Sequence, residues 1–334
     1  MRLSKTLRRT TGGAGVAVGA LALSGLLAFA WGSLIERRLF TLRRVEVPVL
    51  PHGAEPLTIL HVSDLHMAPW QADKQQWVRE LAELKPDLIV DTGDNLGHKD
   101  GIAGIELAFA DFGGVPGAYV NGSNDYYGPV KKNWLRYFFG PSSRAAGRPK
   151  RRTRDLDTAR LERFFTDSLG WQNLNNAVGG VTIKGTRLDF FGVDDPHIGV
   201  DRLDLLTGLI DAQREDEDFE DEDTADAQRT TRDVVTIGVA HAPYQRVLNS
   251  FVTHGADLIL AGHTHGGQVC IPGYGALVTN CDIPRAQVKG LSIWRHAWRA
   301  AHLHVSAGLG TSIYAPVRFA CRPEATLLTL VPKP

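Results

Sequence analysis

The chain has 334 residues, with 37 Lys and Arg set against 37 Asp and Glu, so its formal net charge is zero. That balance removes any global electrostatic attraction to nucleic acid, and no nucleic-acid partner is expected. With 43% hydrophobic and 22% charged residues, the composition excludes wholesale disorder and suffices for one large α/β core or two small domains.

Arg2, Lys5, Arg8 and Arg9 precede an uncharged stretch from Thr11 to Ile35 rich in Ala, Gly, Leu and Val. As a helix it would measure roughly 37 Å, enough to cross a ~30 Å hydrocarbon core. Trp31, Arg37 and Arg38 suit interfacial anchors. Residues 1–35 are therefore expected to form a basic segment and one transmembrane or signal-anchor helix, placing the protein in the cell membrane as a single-pass chain. Ala28-Phe29-Ala30 offers the alternative of a cleaved secretory signal. Arg37, Arg38, Arg43 and Arg44 balance the basic residues before the stretch, so the side holding the soluble part stays open. Arg8-Arg9 begins like a twin-arginine signal, but Thr10-Thr11-Gly12 continues it poorly.

Residues 36–54, with Pro48, Pro51 and Gly53, read as a linker, and 55–334 as the folded domain. Leu57 to Val62, Leu88 to Val90, Ala118 to Val120, Val234 to Val239 and Leu258 to Leu260 read as buried strands. Trp77, Val78, Leu81 and Leu84 recur at helical spacing before Pro86, and Leu161, Phe164, Phe165 and Leu169 form a second helical face before Gly170. This alternation predicts a layered α/β fold.

Two insertions interrupt it, at 131–160 and 211–233. The first interleaves Lys131, Lys132, Arg136 and Arg144 with Trp134, Tyr137 and Phe138, which suits either anionic lipid headgroups or an ordinary exposed loop. The second, dense in Asp and Glu from Asp211 to Asp226, is expected to be a solvated, disordered loop. Three cysteines, Cys270, Cys281 and Cys321, cannot all pair. A Cys270–Cys281 bridge is open outside the cytosol, and buried free thiols are the expectation.

Each apolar run ends in a polar cluster: Asp64-Leu65-His66, Gly93-Asp94, Gly122-Ser123-Asn124-Asp125, His241, and Gly262-His263-Thr264-His265-Gly266-Gly267. Open α/β sheets place their sites at such carboxyl ends. Carboxylates and imidazoles are what divalent transition metals take when no thiolate is offered. A single histidine would read as an ordinary core or surface residue, but five clusters at five strand ends do not. His302 and His304 alternate with Leu303 and Val305 and read as strand rather than ligands.

Asp64-x-His66, Gly93-Asp94, Gly122-x-x-Asp125, His241 and Gly262-His263-x-His265 resemble, in order, the motifs of the calcineurin-like metallophosphoesterases, from about Leu57 to the C-terminus. The run Gly262 to Gln268, Gly308-Leu309-Gly310, Pro316-Val317-Arg318 and Pro323-Glu324 is similar to the membrane-tethered bacterial phosphodiesterase branch. The resemblance implies a four-layer αββα sandwich and two divalent metal ions, Mn, Fe or Zn. By it, Asp64, His66 and His265 hold one metal and His241 and His263 the other, with Asp94 bridging both as the central catalytic carboxylate. Two cations roughly 3.5–4 Å apart can share a hydroxide that attacks phosphorus in line.

The family's Gly-Asn-His-Asp stands here as Gly122-Ser123-Asn124-Asp125. Either Asn124 or Ser123 then supplies the second metal's oxygen, with Asn124 favoured, and the family's proton-donating histidine is missing. His98 is a candidate replacement, and Arg318 and Tyr314 are candidates for phosphate or headgroup contact. The implied function is hydrolysis of a phosphodiester or phosphomonoester, on a lipid-linked or headgroup substrate. The alternatives are a nucleotide phosphodiesterase or nuclease, and a membrane-tethered scaffold without turnover.

Overall fold

A computed structural model describes residues 18–129, 153–222 and 234–334, without the side chains of residues 214 and 216–222. Most of the basic-aromatic insertion and residues 223–233 of the acidic one lie outside the described residues.

The first described helix, α1, is Val18–Arg38, 21 residues long and apolar enough to cross a membrane. Leu21, Leu26 and Phe29 stand exposed along it. The strands that follow are β1 (Thr41–Leu50), β2 (Leu57–Val62), β3 (Leu88–Asp91), β4 (Gly117–Tyr119), β5 (Gln172–Asn173), β6 (Ala177–Ile183) and β7 (Thr186–Val193). After them come β8 (Val234–Ala240), β9 (Leu258–Ala261), β10 (Cys270–Ile271), β11 (Gly275–Ala276), β12 (Gly290–His296), β13 (Arg299–Val305) and β14 (Glu324–Pro332). The helices are α2 (Ala72–Glu80), α3 (Ile102–Ala108), α4 (Ser123–Tyr126), α5 (Thr158–Arg163), α6 (Leu206–Glu222) and α7 (Gln245–Thr253).

Two mixed six-stranded sheets form, ordered β1-β14-β2-β3-β4-β5 and β12-β13-β9-β8-β7-β6, with β10 and β11 a separate hairpin. Their facing sides share one core, in which Leu57, Ile59, Val90 and Leu328 meet Phe190, Ile237, Val239 and Leu260. Behind the first sheet, Val78 of α2, Ile105 of α3 and Leu161 of α5 cover Leu60, Val62 and Ile89. Behind the second, Leu206 and Ile210 of α6 and Val247, Leu248 and Phe251 of α7 cover Phe191, Ile259 and Leu303. The result is the expected αββα sandwich, each sheet buried on both faces as parallel strands require.

Two expectations change. The segment 36–54 is not a linker, because β1 pairs in parallel with β14 from Thr41↔Glu324 onward. It is an edge strand, where Pro48 removes no hydrogen bond that a neighbour needs. Residues 211–222 are helix rather than loop. Leu206 and Ile210 are buried on the core, Asp211, Ala212 and Glu215 are exposed, and no Gly or Pro interrupts the following turns.

Candidate metal centre

The carboxyl ends of the parallel strands of both sheets converge. Asp64 and His66 follow β2, Asp94 follows β3, Asn124 and Asp125 lie on α4 after β4, His241 follows β8, and His263 and His265 follow β9. The backbone there is bent hard: φ is positive at Asp64 (50°), His66 (42°), Asp94 (57°), His263 (67°) and His265 (51°). Non-glycine residues in this region are held only where surrounding contacts over-determine them, and such residues gather at functional sites.

Among the described residues, two groups offer ligand atoms lying within 4.8 Å of one another: Asp64, His66 and His265, and Asp64, Asp94 and His241. His66 Nε2 lies 3.2 Å from His265 Nε2, and His265 Nε2 lies 3.5 Å from Asp64 Oδ1. Asp94 reaches both groups, with Oδ1 3.5 Å from His241 Nε2 and Oδ2 3.6 Å from His66 Nε2. His263 joins through Nδ1, 3.2 Å from His241 Nε2. Asn124 donates to Asp94 from its backbone at 2.7 Å and from its side-chain amide at 2.6 Å. Ser123, the other candidate for this role, is half-buried at the start of α4.

The supporting contacts aim these groups. His241 Nδ1 lies 2.7 Å from the Thr92 carbonyl, which makes Nδ1 a donor and aims Nε2 toward Asp94. Asp125 accepts from the backbone N–H groups of Gly122, Asp94 and Asn95, pinning the β3 and β4 loops together. Asp64 Oδ2 accepts from Ser63 Oγ and His263 N, while its Oδ1 is buried with no hydrogen-bond partner among the described residues. Close approach needs glycine here: a Cβ on Gly122 would lie 2.3 Å from Asp94 Oδ1.

Charge follows from this crowding. Burial pushes the Asp64 carboxyl up to about 6. Burial alone would raise Asp94, yet His241, His66 and Asn124 outweigh it and hold that carboxyl below the usual range. Burial alone would lower His241, but Asp94, Asp195 and Asp64 carry it to about 9. Burial holds His66 at about 4 and drives His263 and His265 well below their ordinary value. Neutral imidazoles at His66, His263 and His265, a His241 that a cation would relieve of its proton, an ionised Asp94 and an orphaned Asp64 oxygen make a donor set that suits a divalent transition metal, so the residues fit the implied ions.

The profile of the calcineurin-like phosphoesterase family matches residues 57–267. The chain is a calcineurin-like metallophosphoesterase. Members are hydrolases acting on phosphoester bonds. This metallophosphoesterase is 24% identical over 326 residues to the uncharacterized metallophosphoesterase YkuE of Bacillus subtilis, covering 93% of this chain and 94% of that one. It is 41% identical to the phosphodiesterase YaeI of Escherichia coli over 75 residues, 22% of this chain and 25% of that one. Among solved structures, Haemophilus influenzae NAD nucleotidase aligns with a TM-score of 0.44 at 12% identity, over 77% of this chain and 46% of that one.

Other singled-out residues fall elsewhere. His98 accepts from Asp100 N and packs edge-on against Trp70; none of its described hydrogen bonds or ring contacts reaches the cluster. Tyr314 is exposed on the loop before Arg318. His302 and His304 lie in β13 as expected. All three cysteines are buried and free. Arg318 is fully buried and donates to the carbonyls of Ala307, Gly308, Gly310 and Cys321. It also lies 3.3 Å from His265 Nδ1. The guanidinium is thus a brace for the ligand loop, where the sequence suggested a substrate contact. Arg318→Met should cost about 3–5 kcal/mol in denaturant unfolding, because the carbonyls stay buried without a donor. A raised KM with unchanged stability would restore the substrate-contact reading.

One cluster escaped the sequence reading. Asp194 and Asp195 follow β7, and Asp195 Oδ2 is buried without a hydrogen-bond partner among the described residues. His197 lies 4.4 Å ring to ring from His263, and its Nδ1 meets Tyr244 Oη at 2.9 Å. Its signal was present: Phe190 to Val193 is one more short apolar run ending in carboxylates.

Proposed function

We propose that the chain hydrolyses a phosphodiester, lipid-linked or in a headgroup, at a pair of divalent cations held by Asp64, His66, His265, His241 and His263, with Asp94 shared between them. The observation that carries this reading is Asp94, whose two carboxylate oxygens face imidazoles of different groups, beside the Oδ1 of Asp64, which has no hydrogen-bond partner among the described residues. Bound cations supply Lewis acidity toward phosphoryl oxygens and lower the pKa of water. Asp94 sets the spacing of the two halves. The Thr92 carbonyl fixes the tautomer of His241, and Arg318 holds the loop that carries His265. Asn124, whose amide already touches Asp94, is placed to turn its oxygen inward as a ligand. The match to YaeI, itself a phosphodiesterase, supports the diester, and α1 supports a substrate in the membrane.

The test is full-length protein stripped by chelator, reloaded with Mn, Fe or Zn, and assayed on aryl phosphodiesters and monoesters. Cation-dependent diester hydrolysis is expected. Tight cation binding without turnover on any ester would sink the reading in favour of a scaffold.

Asn124 stands where the family carries its proton donor, and His98 is engaged with Asp100 and Trp70. Departure of the alcohol therefore depends on its own acidity. Turnover of substituted aryl diesters should fall by about tenfold for every one to two units of leaving-group pKa. A flat profile with chemistry rate-limiting would reveal a donor elsewhere.

A further inference from the structure

The helix α1 does not hang from the domain on a tether. Arg318 N donates to the Gly32 carbonyl, and a Cβ on Gly32 would lie 2.6 Å from the Arg318 carbonyl oxygen. Glu36, buried at the base of the helix, accepts from Cys321 N through one carboxylate oxygen and from Trp31 Nε1 through the other. Thr41 N then bonds the Pro323 carbonyl and begins β1. The end of the apolar helix is thus packed directly on residues 317–321, the segment whose Arg318 braces the His265 loop.

The same segment carries the β10–β11 hairpin on its other side. Phe319 N bonds the Gln268 carbonyl, Cys270 N bonds the Phe319 carbonyl, and Gln268 Nε2 bonds the Ala315 carbonyl. The hairpin presents Ile271, Tyr274 and Leu277 to solvent, Tyr314 is exposed beside Ala315, and Trp31, Leu34 and Ile35 are exposed at the helix base. Arg285 stacks over the Tyr274 ring at 4.3 Å. Aromatic and aliphatic side chains with an arginine among them, continuous with the end of an apolar helix, have the composition of a membrane interface. The hairpin leaves the metal-ligand loop at Gln268 and returns to Asn280, whose carbonyl lies 3.2 Å from His263 Nε2.

We propose that the base of α1, Tyr314 and the Ile271–Leu277 hairpin form one surface that seats on a lipid bilayer, its arginine facing anionic headgroups. The seat is rigid because no flexible linker separates it from the anchor, and it holds the metal centre against the headgroup layer. This rests on reading α1 as a membrane span and the centre as a phosphodiesterase.

The test uses full-length protein in phosphatidylcholine–phosphatidylglycerol nanodiscs, with single cysteines introduced at exposed positions and labelled with bimane. The three native cysteines are buried and free, which keeps the labelling selective. Brominated acyl chains should quench the label of Tyr274→Cys and of the helix control Leu26→Cys, but not that of Trp298→Cys on the β12–β13 turn. Quenching at 26 without quenching at 274 overturns the seat while leaving the anchor intact. Quenching at neither position overturns both, and equal quenching at 274 and 298 overturns the assigned surface. A triple change, Ile271→Glu, Tyr274→Glu and Leu277→Glu, should lower hydrolysis of a bilayer-embedded aryl diester about tenfold and leave a water-soluble one unaffected. Equal rates on the embedded ester count against the seat. A wild-type protein inactive on every ester, yet quenched at 274, would refute the phosphodiesterase reading alone.

Discussion

Asp94→Asn is expected to lower turnover of an aryl phosphodiester about a thousandfold or more, with the fold intact. The carboxylate faces His241 through one oxygen and His66 through the other, so its loss disconnects both halves of the centre. Asparagine is the right probe because residue 94 has φ 57°, a region Asn enters readily and alanine does not. The amide keeps the volume and removes the negative charge that two cations would share. Asn124→Ala, which removes the side-chain contact to that carboxylate and with it the proposed oxygen ligand, should cost ten- to a hundredfold by the scale of groups around metal sites, about 1–3 kcal/mol. Turnover, elemental analysis and thermal melts on the same samples separate lost cations from lost structure. An Asp94→Asn protein retaining a tenth of its activity would remove Asp94 from the centre of the reaction.

The sandwich and the residues at its strand ends were legible because parallel strands buried on both faces write themselves as continuous apolar runs, and each run here ends where the polar residues start. The convergence of Asp64, Asp94, His241 and His265 required only that those ends point the same way. What stayed hidden depends on long-range partners. The strand β1 reads as a linker because Pro48 lies within it and Pro51 and Gly53 follow it, and only pairing with β14, some 280 residues away, makes Thr41–Leu50 extended. The acidic start of the second insertion reads as a loop because its charge dominates, while the two side chains that anchor it, Leu206 and Ile210, lie just before or at its edge. The bracing role of Arg318 had no local signal: the carbonyls that fix it belong to Ala307, Gly308 and Gly310, brought near by the turn that follows β13.

Removing the cations should make the domain lose stability as pH rises from 7 to 9, and restoring them should raise the melting temperature by roughly 10 °C. In the cation-free protein, burial pushes Asp91 and Asp195 up to about 7 and Asp125 to about 8. His241 reaches about 9 because its carboxylate neighbours overcome burial. Each of these groups binds its proton more tightly folded than unfolded. The stability it contributes is full below its unfolded pKa and is lost as pH climbs through the folded value. Buried histidines such as His66, held at about 4 by burial, act in the opposite sense, but their window closes near pH 6.5, below this range. Lys74, lowered by burial to about 7, opposes the trend above pH 7 by at most one proton. Cys321, lowered to about 6 by its contact with Cys270, opposes it as well up to pH 9. The balance leaves a fraction of a proton net, largest near pH 7, so the loss stays below about 1 kcal/mol per pH unit. Cations replace those protons with fixed positive charge, so the loaded protein should show a shallower slope. At a thousandfold excess over the dissociation constant they add about 4 kcal/mol, a few degrees for each kcal/mol in a domain of this size. Scanning calorimetry at pH 7 and pH 9, with and without cation, reads both effects. A melting temperature that rises with pH in the stripped protein would mean that the buried aspartates do not need the charge that the centre is built to hold.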